Sequence, residues 1–294
     1  MEAPAAVAAA RPGLRVWLLA ARPRTLSAAV APVVVGSAVA ARLGSFRPWP
    51  ALAALCSAMC IQIGTNLAND YSDFKRGADT HERLGPRRVT QSGLVAPVTV
   101  KRAALGCFAL AALFGAWLAA VAGWPILVVG LASIAAGWLY TGGPWPLGYH
   151  GLGDVFVFVF FGVVATVGTV FVQTQTLPGL AFLAAIPTGC FATAILVVNN
   201  QRDRITDAKA GKNTLAVKLG AGAMRVEYVA LLLLAFAVIA LLPGKPLALL
   251  ALPLAVPPLR RVLRDEGAAL NPALGETARL QVAAAILIAI GLAL

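Results

Sequence analysis

Four polar side chains stand close together where a long hydrophobic run ends, in the stretch NLANDYSDFKRGAD. They are Asn66, Asn69, Asp70 and Asp73. Their spacing of i, i+3, i+4 and i+7 places all four on one helix face if the helix continues through this stretch. Two amides and two carboxylates on a single face form a candidate binding site.

A second cluster of the same kind follows in VVNNQRDRITDAKAGKNTLAVKLG, where Asn199, Asp203 and Asp207 are spaced i, i+4 and i+8. Ordinary capping or turn residues would explain one such helix end. Two are harder to explain in this way, because like charges on one face cost roughly a few tenths of a kcal/mol per pair. The second cluster also lies at a helix C-terminus, where the helix dipole disfavours anions. A bound cation would offset this repulsion.

Oxygen ligands from Asp and Asn, without His or Cys, are typical of Mg²⁺ rather than zinc or copper. Mg²⁺ usually binds through one or two carboxylates together with a substrate phosphate. Basic side chains for such a phosphate lie in the same two stretches: Lys75, Arg76, Arg83, Arg87, Arg88, Arg202, Arg204, Lys209 and Lys212. The pattern therefore predicts a site for Mg²⁺ and a diphosphate attached to a hydrocarbon chain.

The elements that position these clusters are hydrophobic segments long enough to cross a membrane. Of the 294 residues, 60% are hydrophobic and 12% are charged, and the mean hydropathy is +0.82. Segments of roughly 17 to 25 apolar residues, the length that spans a bilayer, lie at about 14–42, 50–69, 103–122, 124–141, 154–174, 179–199, 226–243, 245–263 and 278–294. We therefore expect an all-α polytopic membrane protein with a bundle of about nine transmembrane helices.

Basic residues concentrate in alternate connections. Of the 24 Lys and Arg residues, all but Arg42, Arg47 and Lys245 lie near the N-terminus or around the connections after the second, sixth and eighth segments. The positive-inside rule then places the N-terminus and both Asp-rich stretches in the cytoplasm, with the chain in the bacterial cytoplasmic (inner) membrane. Topology accounts for most of the net charge of +12, so no nucleic-acid partner is expected.

These boundaries predict a single transmembrane domain over 14–294, preceded by a short cytoplasmic tail at 1–13. Cytoplasmic Asp-rich loops are expected at about 66–102 and 199–225. The sequence leaves the oligomeric state open.

At these residues the sequence resembles the UbiA-type intramembrane aromatic prenyltransferases, and in particular the branch that prenylates 1,4-dihydroxy-2-naphthoate in menaquinone synthesis. Four segments carry the resemblance: ARPRTLSAAVAPVVVGSA, NLANDYSDFKRGADTHERLGPRRVTQSGLV, YTGGPWPLGYHGLGDVFVFVFFG and NNQRDRITDAKAGKNTLAVKLG. The two Asp motifs are typical of the superfamily. GPRRVTQSG and YTGGPWPLGYHGLGD are more typical of the naphthoate branch.

The resemblance implies Mg²⁺-dependent transfer of a polyprenyl chain from polyprenyl diphosphate to the naphthoate, with loss of CO2 and diphosphate, giving demethylmenaquinol. The implied metal ligands are Asp70, Asp73, Asp203 and Asp207. Asn66, Asn69 and Tyr140 are expected beside them as catalytic residues. The expected substrate-binding residues are Arg22, Lys75, Asp79, Arg87, Tyr149, Asp154, Asn199, Arg202 and Lys212.

Simpler roles compete with several of these assignments. Tyr140 and Tyr149 also suit interface anchors, and Arg22 suits a topology signal. His81 and His150 are candidates for a general base, although a lone loop histidine is more often solvated.

Two other functions stay open. One is a sister aromatic prenyltransferase with a 4-hydroxybenzoate, homogentisate or chlorin acceptor. The other is a transporter for a divalent cation or small solute, which would place ionisable residues near the middle of the membrane.

Overall fold

The computed structural model describes residues 12–79 and 84–294. Most of the tail predicted at 1–13 lies outside these ranges, as do His81 and Arg83. Both described ranges are helical, and neither contains a β-strand.

The helices are α1 (Leu14–Ala21), α2 (Ser27–Arg42), α3 (Pro48–Lys75), α4 (Pro97–Ala122), α5 (Pro125–Leu139), α6 (Gly153–Val157), α7 (Ala165–Thr174), α8 (Gly179–Lys209), α9 (Leu215–Leu241), α10 (Leu252–Arg264) and α11 (Asn271–Ala293). A π-helical stretch, Phe158–Val164, joins α6 and α7 into one span over Gly153–Thr174. Prolines begin α3, α4 and α5, at the position where a missing backbone N–H costs no helical hydrogen bond.

The described residues contain six helices long and apolar enough to cross a membrane, and a seventh span if α1 and α2 count as one bent pair. The predicted nine spans are therefore not confirmed. The segment predicted at 14–42 bends by 55° between Leu14–Thr25 and Ser27–Arg42. With 15 residues, α5 reaches only about 22 Å at 1.5 Å per residue. In the segment predicted at 245–263, a 3₁₀ turn at Leu247–Ala251 precedes the 13-residue α10.

Two helices continue past the ends of their hydrophobic segments. Helix α3 ends at Lys75 and α8 at Lys209, so the first part of each predicted Asp-rich loop is helical. The polar residues of these extensions are held by side chains and backbone groups from other elements, as described below. Both Asp motifs therefore lie on rigid helical turns.

Helix α8 is the centre of the bundle. Of its most apolar 18-residue window, 78% is buried, against 22% to 44% for the other five long spans. It packs against α2, α9, α11 and the π-helical stretch. Small residues on α8, including Ala181, Ala184 and Ala185, are completely buried, and small side chains let neighbouring helix backbones approach closely.

The closest of these approaches joins the π-helical stretch to α8. A Cβ atom added to Gly162 would lie 2.6 Å from Cα of Gly189 and 3.0 Å from the carbonyl oxygen of Ala185. Only glycine fits at this crossing without a backbone shift.

We expect Gly162→Ala to lower the free energy of unfolding by about 1–3 kcal/mol, because the added methyl group would force two backbones apart. Gly168→Ala is the matched control in the same span, since a Cβ there meets nothing within 4 Å. The control should be neutral or stabilising by up to about 1 kcal/mol. Thermal unfolding in detergent measures both, and equal melting of Gly162→Ala and wild type would contradict the close contact.

Candidate active site

The two Asp motifs meet at one end of the bundle. The ammonium Nζ of Lys212, which follows α8, lies 3.0 Å from Oδ2 of Asp73 on α3. The connection between α5 and α6 joins the same place, because the backbone N–H of Asn213 donates to the carbonyl of Tyr149 at 2.9 Å. Asn271 at the start of α11 donates through Nδ2 to the carbonyl of Leu84, also at 2.9 Å. Three loops and two helix ends therefore enclose one site.

Asp73 is the most heavily bonded carboxylate of the site, and its side chain is only 1% exposed. Its Oδ2 lies 3.0 Å from Nη2 of Arg88 and 3.0 Å from Nζ of Lys212. Its Oδ1 accepts a hydrogen bond of 2.9 Å from the phenol of Tyr149. Arg88 also pairs with Asp79, at 3.3 Å between Nε and Oδ2. Two cations thus balance the charge of a buried carboxylate, as burial of a charge requires.

Burial raises the pKa of Tyr149, and both the negative charge of Asp73 and its hydrogen bond raise it further. The phenol therefore stays protonated and remains a donor to Asp73. The cations Lys212 and Arg76 lie 5.0 Å and 5.6 Å from the Tyr149 ring centroid. The ring thus lies among charged groups of both signs.

Asp70 fixes the loop that carries Arg88. Its two carboxylate oxygens accept the backbone N–H groups of Val89 and Thr90 at 3.0 Å and 3.2 Å. These two hydrogen bonds to the backbone hold the loop in place and so position Arg88 next to Asp73.

The two asparagines of the first motif hold neighbouring segments. Nδ2 of Asn66 donates to the carbonyl of Ala21 at 2.9 Å and to the hydroxyl of Thr25 at 3.0 Å, at the break between α1 and α2. Arg22, which lies in this break with φ of 53°, donates to the carbonyl of Asn66 at 3.5 Å. Oδ1 of Asn69 accepts a hydrogen bond of 2.7 Å from Thr141. Both amides therefore organise the walls of the site.

In the second motif, Arg202 donates two hydrogen bonds to the carboxylate of Asp203, one of 2.8 Å from Nε and one of 2.5 Å from Nη2. The same guanidinium donates to Oδ1 of Asn199 at 2.8 Å and to Oδ1 of Asn271 at 3.2 Å. Arg202 is only 2% exposed. A Cβ on Gly85 would lie 2.6 Å from its Nη2, so the first loop closes directly over it.

A third group surrounds Tyr140. Burial raises the pKa of this phenol, and the charges of Asp154, Asp207 and Asp73 raise it further. Asp154 is 4% exposed, and neither of its carboxylate oxygens has a hydrogen-bond partner among the described residues. Tyr140 thus lies within the electrostatic influence of Asp154, Asp207 and Asp73.

Two residues expected to bind phosphate, Lys75 and Arg87, do not join the contacts around Asp73. Lys75 lines a separate cavity, because on a helix a residue two positions after Asp73 points to roughly the opposite side. Arg87 is exposed, and its neighbour Arg88 reaches the carboxylates instead. The sequence offered Arg88 among several basic residues but gave no signal that distinguished it from Arg87.

His150 is engaged within its own loop. Its ring stacks on Trp145 with centroids 4.1 Å apart, and Nδ1 lies 2.8 Å from the carbonyl of Pro146. Its backbone carbonyl accepts a hydrogen bond of 2.7 Å from Lys218. These contacts favour a role in shaping the loop.

The donor set suits a hard divalent cation shared with a substrate. Within the described ranges no three His, Cys, Asp or Glu side chains are grouped to hold a metal ion by themselves. The expected set of four aspartates is therefore not gathered around one point. Mg²⁺ requires only one or two carboxylates when phosphate oxygens complete its coordination. Asp73 and Asp203 each provide a carboxylate with a basic group beside it, which is compatible with such a shared site.

Sequence comparison identifies the family. Residues 29–266 match the UbiA prenyltransferase family. The chain belongs to this family.

Two relatives in this family match most of the chain in sequence. It is 42% identical over 244 residues to a 1,4-dihydroxy-2-naphthoate octaprenyltransferase of Mycobacterium tuberculosis, covering 82% of this chain and 83% of that one. It is 38% identical over 290 residues to the enzyme of the same name from Escherichia coli, covering 94% of each chain.

Solved structures share the UbiA fold. A UbiA homolog from Aeropyrum pernix has a TM-score of 0.65 at 14% identity, covering 96% of this chain and 98% of that one. A UbiA homolog from Archaeoglobus fulgidus, bound to DMAPP and Mg²⁺, has a TM-score of 0.61 at 15% identity, covering 93% and 99%. At these identities the likeness concerns the fold.

The neighbours Arg88 and Arg87 provide a matched pair of variants. We expect Arg88→Gln to destabilise the protein by about 3–5 kcal/mol, because it removes one partner of a buried ion pair. Arg87→Gln should change the free energy of unfolding by less than about 0.5 kcal/mol, because this side chain is exposed. Thermal unfolding in detergent tests both, and similar losses in the two variants would contradict the assignment of Arg88.

Tyr149 should resist ionisation. An ordinary tyrosine ionises near about pH 10, whereas the raised pKa of Tyr149 keeps it neutral there. Between about pH 9 and 10.5, wild type and Tyr149→Phe should therefore show equal tyrosinate absorbance in the ultraviolet. The free energy of unfolding should also fall as the pH rises above about 10, because Tyr149 ionises at a lower pH in the unfolded chain than in the folded protein. Loss of one tyrosinate signal in the variant would contradict its neutral state.

Proposed function

We propose that the chain transfers a polyprenyl group from polyprenyl diphosphate to 1,4-dihydroxy-2-naphthoate, with release of CO2 and diphosphate, giving demethylmenaquinol for menaquinone synthesis. The observation that carries the proposal is the identity of 33% to 42% to relatives named for this activity. The site supports it, since buried carboxylates, basic side chains and two tyrosines meet at the end of an apolar bundle.

The proposed metal is Mg²⁺, held by Asp73 and Asp203, with Asp70 and Asp207 completing the two motifs. When bound, it would neutralise the negative charge that develops on the departing diphosphate. Lys212 and Arg88 would bind diphosphate oxygens from the Asp73 side, as charge-assisted donors. Arg202 would orient Asp203, to which it donates two hydrogen bonds in the structure.

The proposed acceptor site lies around Tyr140 and Asp154, and we include Arg22 and Tyr149 among its proposed residues. The unpartnered carboxylate of Asp154 could accept a hydrogen bond from a ring hydroxyl, and the phenol of Tyr140 stays protonated and could donate one. Loss of diphosphate leaves an allylic cation that water would capture, so the apolar helix walls serve to exclude water. The ring carbon bearing the carboxylate attacks this cation, and departure of CO2 restores the aromatic ring.

The described helices support an integral membrane protein. We propose a single domain over 14–294 in the bacterial cytoplasmic membrane, with the N-terminus and both Asp motifs facing the cytoplasm. The basic residues that cluster at these connections support this orientation.

The function is tested with naphthoate labelled in its carboxyl carbon, together with octaprenyl diphosphate and Mg²⁺. We expect an unlabelled prenylated product by mass spectrometry, with one labelled CO2 released per product. Retention of the label in the product, or preferred turnover of 4-hydroxybenzoate, would contradict the proposed acceptor.

In the same assay, Asp73→Asn and Asp203→Asn should lower turnover by roughly 100-fold or more, because each removes charge from the diphosphate and metal site. Asp265→Asn is the matched control, since Asp265 pairs with Arg261 at 3.7 Å, apart from the contacts of the site. Normal turnover by Asp73→Asn would contradict the proposed role of this carboxylate.

A further inference from the structure

A second cavity lies beside the C-terminal turns of α3, and Lys75, which lines it, points to roughly the opposite side of the helix from Asp73. Its volume is about 400 Å³, within the range of small-ligand sites. The C-terminal turns of α3, the start of α4, the end of α5 and the following loop form its walls. It is lined by Tyr71, Ser72, Lys75, Arg76, Lys101, Trp138, Gly142 and Gly143.

Among the described residues, the lining carries three cations and no acid. Lys75 and Lys101 make no ion pair or hydrogen bond with any residue in the described part of the chain, although Nζ of Lys101 lies 5.8 Å from the ring centroid of Tyr71. Arg76 donates a hydrogen bond to the carbonyl of Gly143. No acidic side chain among the described residues compensates the positive charge of this cavity, and an anion would lower the repulsion among the three cations.

Two glycines build the rim of the cavity. A Cβ on Gly142 would lie 2.7 Å from the carbonyl oxygen of Trp138, and Gly143 has a φ of +74°, a conformation that favours glycine. The loop can therefore fold tightly over the end of α5 and present the Gly143 carbonyl to Arg76. Gly142 and Gly143 of the YTGGPWP segment therefore shape this cavity, which is a role separate from the Asp motifs.

The cavity lies where the ends of α3, α4 and α5 meet the loops. Phe74, Leu105 and Leu139 are exposed apolar side chains on the three helices that form its walls. Tyr71 and Trp138 are of the two residue types enriched at membrane interfaces. A group bound here would lie at the level of lipid head groups.

We propose that this cavity binds the phosphate group of an anionic membrane phospholipid. Basic pockets between transmembrane helices favour such head groups. The aromatic acceptor is a poorer candidate, because Lys75 and Lys101 form no ion pair with Asp73 or Asp203, and only Arg76 of the lining cations comes near the site, 5.6 Å from the Tyr149 ring centroid. Reacting atoms must approach to about 3–3.5 Å.

The test uses the full chain in nanodiscs that contain phosphatidylglycerol and phosphatidylcholine, with the lipids retained after release measured by native mass spectrometry. We expect preferential retention of phosphatidylglycerol. Lys75→Gln and Lys101→Gln should each weaken it about fivefold, the effect of one basic charge near a membrane surface. Arg102→Gln is the matched control: it removes the same charge next to Lys101, but Arg102 does not line the cavity.

A soluble anion is distinguished by titrating the protein in uncharged detergent with inorganic phosphate and with diphosphate. Binding of these ions that depends on Lys75 and Lys101, without selective lipid retention, would overturn the lipid assignment. Equal retention of the two lipids, or equal effects of Lys101→Gln and Arg102→Gln, would overturn it as well.

A photo-crosslinkable phosphatidylglycerol provides a second measurement on the wild-type protein, which does not depend on how well the variants fold. Crosslinks should map to the end of α3 and the 138–143 segment. Crosslinks confined to other helices would contradict the proposal.

Discussion

The arrangement of the site depends on the burial of the Asp73 carboxylate, because a charge removed from water must be compensated by partners at close range. Those partners come from three separate segments: Arg88 after α3, Tyr149 after α5 and Lys212 after α8. Each segment must approach α3 for the charge to be satisfied. One electrostatic requirement thus draws together loops that are far apart in sequence, and the result is a buried cluster of charged and polar side chains.

The second motif meets the same requirement differently. Arg202 compensates Asp203 from the adjacent position in the chain, and this arginine is in turn held by Asn199 and Asn271. The ion pair stands on α8, the most deeply buried helix, whose small residues pack tightly against its neighbours. A close-packed support limits movement of the side chains that it carries. The first motif is therefore held by partners from several loops, and the second by partners on and beside the central helix.

The charged residues near the end of helix α3 differ in how far the rest of the structure compensates them. On one face, Asp70 and Asp73 are matched by backbone N–H groups and by cations from other segments. On the other face, Lys75 and Lys101 line a cavity that has no acid among its described lining residues. A helix turns by about 100° per residue, so residues two positions apart belong to different sites. Proximity in sequence is thus a poor guide to which charges act together.

The sequence by itself determined the helical class, the membrane character, the spacing that places Asp70 and Asp73 on one face, and the family resemblance. Hydropathy and helical periodicity are local properties, so they can be read without knowing the neighbours of a segment. Tertiary structure decided three features: the break at Arg22, the smaller number of candidate spans in the described residues, and the choice of Arg88 over Arg87 as the partner of Asp73. It also decided that Asp70 and Asn66 bind backbone groups of other segments, and that Lys75 faces a second cavity. These outcomes depend on contacts between segments that are distant in the chain, and such contacts form only when the whole bundle packs.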